Sequence, residues 1–172
     1  RQPSTMLDLC TGSGCLALAL AKAFPDAMVY GTDISDAAIG YAIKNADING
    51  IGNAEFLKGH LFGPLGEGRV FDLIISNPPY IRTADIPGLQ PEIRDWEPGS
   101  ALDGGEDGLD LYREMIPSAR RYLSDDGILM LEIGAGQHDE LRGMLQRYGY
   151  SDIEVLKDYA GIERILQARW TR

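Results

Sequence analysis

Short apolar runs alternate with amphipathic stretches along most of this chain. Runs over Thr5 to Leu9, Met28 to Thr32, Ala54 to Leu57, Phe71 to Ser76, Gly127 to Ile133, Ile153 to Leu156 and Ile162 to Arg169 have strand length and branched, apolar composition. Helical spacing fills Cys15 to Ala23, Asp36 to Asn49, Leu109 to Leu123 and Gln137 to Tyr148. Strand and helix taking turns in this way predict an α/β fold, a doubly wound, seven-stranded Rossmann-like sheet covered by helices on both faces. Only Lys157 to Gly161 separates the last two strands. That is too short for a parallel crossover, so the last strand is expected to run antiparallel.

Turn chemistry supports these edges. Asp36 can cap its helix and Gly50 can end it, while Pro25-Asp26 and Ser124-Asp125-Asp126-Gly127 read as turns. Doubly wound sheets bind ligands beyond the carboxyl ends of their strands, which directs attention to the loops after Leu9, Thr32, Leu57 and Ser76. One long irregular stretch, Ile81 to Gly108, breaks the rhythm, and loops of that length in compact domains usually carry function.

Composition narrows the setting. The 172 residues hold 26 acidic and 16 basic side chains, a formal charge of −10 that opposes non-specific attachment to nucleic acid or anionic lipid. The two cysteines, Cys10 and Cys15, form no disulfide framework, and no apolar run has membrane-spanning length. A cytoplasmic protein that binds no membrane is expected. The chain opens on Arg1 and is already inside a strand by Met6, which suggests a piece of a longer parent.

Candidate chemistry begins at the first turn. In LDLCTGSGCLALALA, Gly12 and Gly14 let the backbone approach a ligand at the amino end of a helix. Asp33, 21 residues beyond Gly12, ends the second strand where a carboxylate can accept two ribose hydroxyls. A tight strand-to-helix turn with a helix cap would look the same. A nicotinamide dinucleotide is the sharper rival, because Gly12, Gly14 and Ala17 fit its fingerprint. Asp8 opposes that rival, since a carboxylate at the strand end repels a pyrophosphate and attracts the cationic amino-acid part of S-adenosylmethionine.

Asn77-Pro78-Pro79-Tyr80 also opposes it, for hydride transfer has no use for such a turn. A planar NH2 group can give one N–H to the Asn77 side-chain oxygen and the other to the Pro78 carbonyl, which aims its lone pair at a methyl donor. Pro79 has no N–H and a fixed φ, so it holds that carbonyl outward, and Tyr80 offers a flat face to the planar group. A proline-terminated strand with a half-buried tyrosine is the plain alternative.

These motifs in this order resemble the seven-stranded S-adenosylmethionine-dependent amino-methyltransferases. More narrowly, NPPYI, EIRDWEPGSALDGGEDGLDLYR, LEIG before Gln137 and KDYAGIERI resemble the protein-glutamine methyltransferases that act on peptide chain release factors, over Leu7 to about Arg169. The resemblance implies that residues 1–172 form the catalytic domain, with a helical amino-terminal domain in the parent protein. It implies a substrate, the glutamine of the release factor's Gly-Gly-Gln motif; a monomer that binds no nucleic acid directly is expected. The cofactor, converted to S-adenosylhomocysteine, would lie against Asp8, Cys10, Thr11, Gly12, Gly14, Asp33, Ile34, His60, Leu61, Phe62 and Asn77, with Asn77, Pro78, Pro79 and Tyr80 carrying the reaction.

Two positions depart from the family pattern. Cys10 stands where glycine is common, and reads as a buried thiol outside the chemistry. His60 stands where the family has an Asp that bonds the adenine amine. A neutral imidazole has one acceptor nitrogen and can substitute; equally, His60 can be an exposed loop residue with adenine held by the Leu61 and Phe62 backbone.

The same clamp serves methylation of a ribosomal-protein glutamine or of the adenine amine in DNA or RNA. Against nucleic acid, the stretch from Arg82 to Asp110 carries eight acids and two bases. Glu132 can line the pocket or cap Gly134 to Gly136, and Trp96 can cover the substrate or merely pack in its loop. No His, Cys or carboxylate grouping has metal-ligand spacing, so no metal is expected.

Overall fold

A computed structural model describes residues 2–66 and 68–171. Strands β1 (Thr5–Leu9), β2 (Met28–Asp33), β3 (Ala54–Lys58), β4 (Phe71–Ser76), β5 (Leu123–Glu132), β6 (Ser151–Lys157) and β7 (Glu163–Trp170) form one seven-stranded sheet in the order β3-β2-β1-β4-β5-β7-β6. Strands β1 to β5 pair parallel, and β7 inserts antiparallel between β5 and β6. The doubly wound prediction holds, including the antiparallel last strand.

Helices α1 (Cys15–Ala23), α2 (Asp36–Asn49), α5 (Asp110–Ala119) and α6 (His138–Arg147) cover the faces. Met6 and Val29 meet Ala17 and Ala21 of α1 on one side. Leu7, Leu9, Ile74, Leu129 and Leu131 meet Tyr112, Met115 and Ile116 of α5 on the other. Successive strand residues thus bury against opposite layers, which is why the runs lack a polar face. Among the described residues, no helix is long and apolar enough to cross a membrane.

Most edges lie within two residues of expectation, and α2 is capped by Ser35, whose hydroxyl accepts from Ala38 N, with Asp36 in the first turn; two regions differ more. Helix α5 ends at Ala119, not Leu123, because Leu123 already pairs with Phe71 at the start of β5. The Ser124 to Gly127 turn chemistry is present, but it acts as a bulge within that strand: the register passes from Phe71↔Leu123 to Leu73↔Ile128, with Asp126 at φ 63°. The stretch after β4 is not irregular either. It holds a 3-10 turn (Thr83–Gly88) and two single-turn helices, α3 (Pro91–Arg94) and α4 (Gly99–Leu102). Its ends are stitched together by Ile81 N to Leu102 O (3.0 Å), Gly104 N to Ile81 O (2.8 Å) and Thr83 N to Gly105 O (2.9 Å). Every residue from Gln90 to Ala101 is exposed, so the middle of this flap rests on little.

Asn53 anchors the other edge. Its side-chain amide donates to the carbonyls of Ala21 (3.0 Å), Phe24 (3.3 Å) and Ala27 (2.9 Å), closing the end of α1 onto the entry to β3. Asn53→Ala leaves those carbonyls short of a donor, and urea unfolding should show a loss of roughly 1–3 kcal/mol without a change in slope. No loss would show that water replaces the amide without penalty.

Candidate active site

Strands β1, β2 and β4 end side by side, and their ends are tied. Thr11 N donates to Thr32 O (3.0 Å), and the buried Ser76 hydroxyl donates to Leu9 O (2.8 Å). Beyond these ties lies a cavity of ≈ 820 Å³, walled by Cys10, Gly12, Asp33, Ile34, His60, Leu61, Asn77 and Pro79. A smaller one of ≈ 410 Å³ is walled by Asn77, Pro78, Tyr80, Ile81, Ile93 and Leu102. Asn77, Glu97 and Ala101 belong to both walls.

Gly12 has φ +56°, and a Cβ there would meet nothing within 4 Å, so its Cα faces open space. Asp33 is positioned from both sides: its Oδ2 accepts from Gly12 N (2.9 Å) and its Oδ1 from Ser35 N (2.9 Å). A carboxylate offers about four lone-pair sites, so two remain for a ligand's hydroxyls. Ile34 is exposed on the cavity wall.

Several predicted cofactor residues lie elsewhere. Asp8 does not reach the cavity: it is 1% exposed, beneath the turn, where its Oδ2 accepts from Thr11 Oγ1 (2.6 Å) and Ala17 N (3.1 Å) while Oδ1 has no partner. Thr11 is buried with it, its hydroxyl committed to that bond. Gly14 is a packing glycine, for a Cβ there would sit 3.0 Å from Ala42 Cβ and 3.1 Å from the Phe56 ring. The Phe62 ring is in the core, stacked on Tyr122 at 4.6 Å. These four support the cavity from behind: Asp8 and Thr11 through their mutual hydrogen bond, Gly14 by close packing and Phe62 within the core.

Cys10 has φ +58°, which gives a physical reason for glycine at that position, and burial pushes its thiol up to about 12, so it is no nucleophile. His60 is exposed on the wall, and its Nε2 lies 2.8 Å from Glu114 Oε2. With the proton on Nε2 in that bond, Nδ1 is the acceptor nitrogen.

Beyond Ser76 the backbone ladder stops. Pro78 and Pro79 are buried, whereas Asn77 is exposed and its carboxamide bonds to no described residue. No described backbone N–H donates to the Pro78 carbonyl. Tyr80 is half-buried, and its hydroxyl donates to Glu132 Oε1 (3.1 Å). Burial, with Glu132 next, raises its pKa. Glu132 therefore holds Tyr80; Gly134 N is taken by Gln137 Oε1 instead (2.8 Å).

Trp96 is 85% exposed and covers nothing here. Of the acids in and beside the flap, Asp85, Asp95, Asp107 and Asp110 form ion pairs with Arg82, Arg94 and Arg113; Glu97, Asp103 and the paired Asp110 stand on the larger cavity's wall with Asp33. Tyr41, Glu97 and Ala101 line cavities without having been predicted. Tyr41 lies one turn beyond Ala37 on the helix that follows Asp33, a signal that periodicity does carry. Glu97 and Ala101 arrive through the flap, which leaves none. Among the described residues, no group of His, Cys, Asp or Glu can hold a metal ion.

A parallel sheet with one antiparallel inserted strand, a glycine turn facing an acid-lined cavity, and a proline-ended strand beside it define a methyltransferase domain: the chain belongs to that family, whose model matches residues 2–146. Among curated relatives, the release factor glutamine methyltransferases of Geobacter sulfurreducens and Thermodesulfovibrio yellowstonii are 49% and 47% identical over 96% and 94% of this chain. The chain spans 58% and 57% of the length of those two proteins. The crystal structure of ribosomal protein L11 methylase from Lactobacillus delbrueckii subsp. bulgaricus superposes with a TM-score of 0.68 at 26% identity, covering 98% of this chain and 69% of that one.

Asp8 sets a pH dependence. Burial raises its carboxyl from an ordinary 3.8 to about 7, against the Thr11 and Ala17 hydrogen bonds that lower it, with Asp33 raising it further. Between these limits the folded chain keeps a proton that the unfolded chain has released, so Asp8 makes stability fall as pH rises through that window. Asp8→Asn keeps the accepting oxygen and cannot ionise. Relative to wild type, urea unfolding should show it gaining about 1–3 kcal/mol between roughly pH 5 and pH 8; parallel pH profiles would contradict the burial of a titrating Asp8.

Proposed function

We propose that this chain is the catalytic domain of a protein-glutamine methyltransferase, which moves a methyl group from S-adenosylmethionine to the side-chain amide nitrogen of the glutamine in the Gly-Gly-Gln motif of a peptide chain release factor. The observation that carries the reading is the uncommitted Asn77 carboxamide, at the junction of two cavities and beside an unpaired Pro78 carbonyl.

The residues present fit the cofactor. The larger cavity has Gly12 open beneath it, Asp33 with two free acceptor sites for a ribose, apolar Ile34 and Leu61 for a base, and Glu97 and Asp103 for the ammonium and sulfonium charges. That excess of carboxylates disfavours the pyrophosphate of a dinucleotide. When bound, S-adenosylmethionine supplies a methyl group made electrophilic by its sulfonium.

The chain's own residues deal with the nitrogen. A carboxamide nitrogen delocalises its lone pair into the carbonyl and attacks poorly. Accepting one N–H at Asn77 Oδ1 and the other at Pro78 O fixes the nitrogen and favours the positive, tetrahedral form that develops as the new bond is made. Neither oxygen has to remove a proton before attack; as the N–CH3 bond forms the S–CH3 bond breaks, and one N–H proton is then lost to water. Tyr80, held by Glu132, lines the smaller cavity, where the planar amide would enter. The relatives' names support a release factor as the substrate, and the flap's acidic charge suits a basic protein loop better than a phosphate backbone.

Labelled methyl transfer tests the reading with four acceptors: a release factor, its Gln→Ala variant, a ribosomal protein and duplex DNA. Label should enter the first alone, and label in the variant or in DNA would overturn it. Asn77→Ala should lower turnover about 10²- to 10³-fold with cofactor affinity nearly unchanged. Asp33→Ala should do the converse in calorimetry, weakening cofactor binding by about 1–3 kcal/mol. Variants that lose only stability, with full specific activity in the folded fraction, would misplace the site.

A further inference from the structure

Gln137 precedes α6, lines neither cavity, and yet its carboxamide binds three separate segments at once. Its Nε2 donates to Tyr80 O (3.0 Å) and Gly108 O (3.3 Å), and its Oε1 accepts from Gly134 N (2.8 Å). Every polar atom of the side chain is used. The segments it joins are the exit of the Asn77 to Tyr80 turn, the far end of the flap, and the turn after β5.

Glycines make room for this junction. A Cβ at Gly108 would lie 2.4 Å from Tyr80 O and 2.7 Å from Gln137 Nε2; at Gly134, 2.9 Å from Gln137 Oε1 and 3.2 Å from the Tyr80 ring; at Gly104, 2.8 Å from Tyr80 Cα. At Gly104 and Gly108 the atoms met are Tyr80 backbone, which cannot step aside, so the close approach of the flap to Tyr80 requires that these two positions lack side chains; at Gly134 a side chain would displace the end of Gln137 itself. Asn77 and Pro78 gain nothing from the ladder, which ended at Ser76. Downstream, the turn is restrained through Tyr80: its carbonyl by Gln137, its hydroxyl by Glu132, and Glu132's own carbonyl by Tyr112 Oη (2.5 Å).

We infer that Gln137 is a positioning residue for the methyl transfer, a latch that holds the Pro79-Tyr80 backbone and the root of the flap so that the Asn77 and Pro78 oxygens keep the spacing a planar nitrogen needs. The inference rests on the methyl-transfer reading above. It predicts that loosening Gln137 harms turnover far more than cofactor binding, because Gly12 and Asp33 stand apart from it and, of the carboxylates proposed for the cofactor, only the flap's Glu97 and Asp103 are shared with the latched segment.

Two substitutions separate this from a merely structural role. Gln137→Glu keeps the acceptor for Gly134 N and faces the Tyr80 and Gly108 carbonyls with an oxygen; Gln137→Met is similar in length and uncharged, and serves if the first does not fold. In each, kcat per folded molecule should fall at least about tenfold, with cofactor Kd changed by less than about threefold. Combined with Asn77→Ala, the loss should be smaller than the product of the single losses, since both act on one clamp. Hydrogen exchange at the amides of Ile81, Thr83 and Gly108 should quicken in the variants, a readout independent of activity. Unchanged exchange, or faster exchange with kcat within about twofold of wild type, would overturn the latch. A wild-type chain that transfers no methyl group would instead defeat the underlying reading, with exchange still deciding whether Gln137 latches the turn.

Discussion

Everything at this site depends on how the central strand β4 stops. A strand that continued past Ser76 would give its carbonyls and N–H groups to β1 and β5, and nothing would be left to face a ligand. Two prolines make continuation impossible, since neither has an N–H and each fixes its own φ. The last ladder residue, Ser76, is then locked by its hydroxyl to the carbonyl of Leu9, so β1 and β4 end level with each other. Ending level places the glycine turn after β1 and the Asn77 turn after β4 on the walls of one cavity.

Behind that edge, polar groups do structural work that resembles ligand binding when only the sequence is in view. Asp8 and Thr11 bond each other beneath the glycine turn, and the amide of Ala17 joins them. They shape the turn whose outer face, at Gly12, meets the cavity. The carboxylates that do reach the cavity come from three places, the end of β2, the flap and the start of α5, and besides Glu97 three of them are held by local geometry: Asp33 by two backbone amides, Asp103 by Thr83 and Gly105, Asp110 by Arg113. Like charges around one space repel one another. A cationic ligand relieves that repulsion, which ties the acidity around the cavity to the proposed cofactor.

The architecture was legible because apolar runs buried on both faces and helical periodicity are properties of neighbouring residues. Strands, helices and the antiparallel end followed from spacing alone, and Gly12, Asp33 and the Asn77 to Tyr80 turn followed from their places at strand ends. Contacts between distant segments left no such trace. That Gly14 packs on Phe56, that the Phe62 ring points into the core, and that Gln137 joins three loops are facts of tertiary packing. Ser124 to Gly127 reads as a turn in the sequence and is a bulge in the structure, because turn residues serve bulges as well as loops, and only the pairing of Leu123 with Phe71 distinguishes them.

The central claim is geometric: one nitrogen held between two oxygens at the end of β4, opposite a methyl donor. A crystal structure of the chain with S-adenosylhomocysteine and a short peptide containing Gly-Gly-Gln measures it directly. The account predicts the peptide's glutamine amide nitrogen within hydrogen-bonding distance of both Asn77 Oδ1 and Pro78 O, about 2.7–3.2 Å, with the cofactor's sulfur across from it in the larger cavity. A glutamine bound elsewhere, or an Asn77 carboxamide turned away while both ligands are in place, would contradict it.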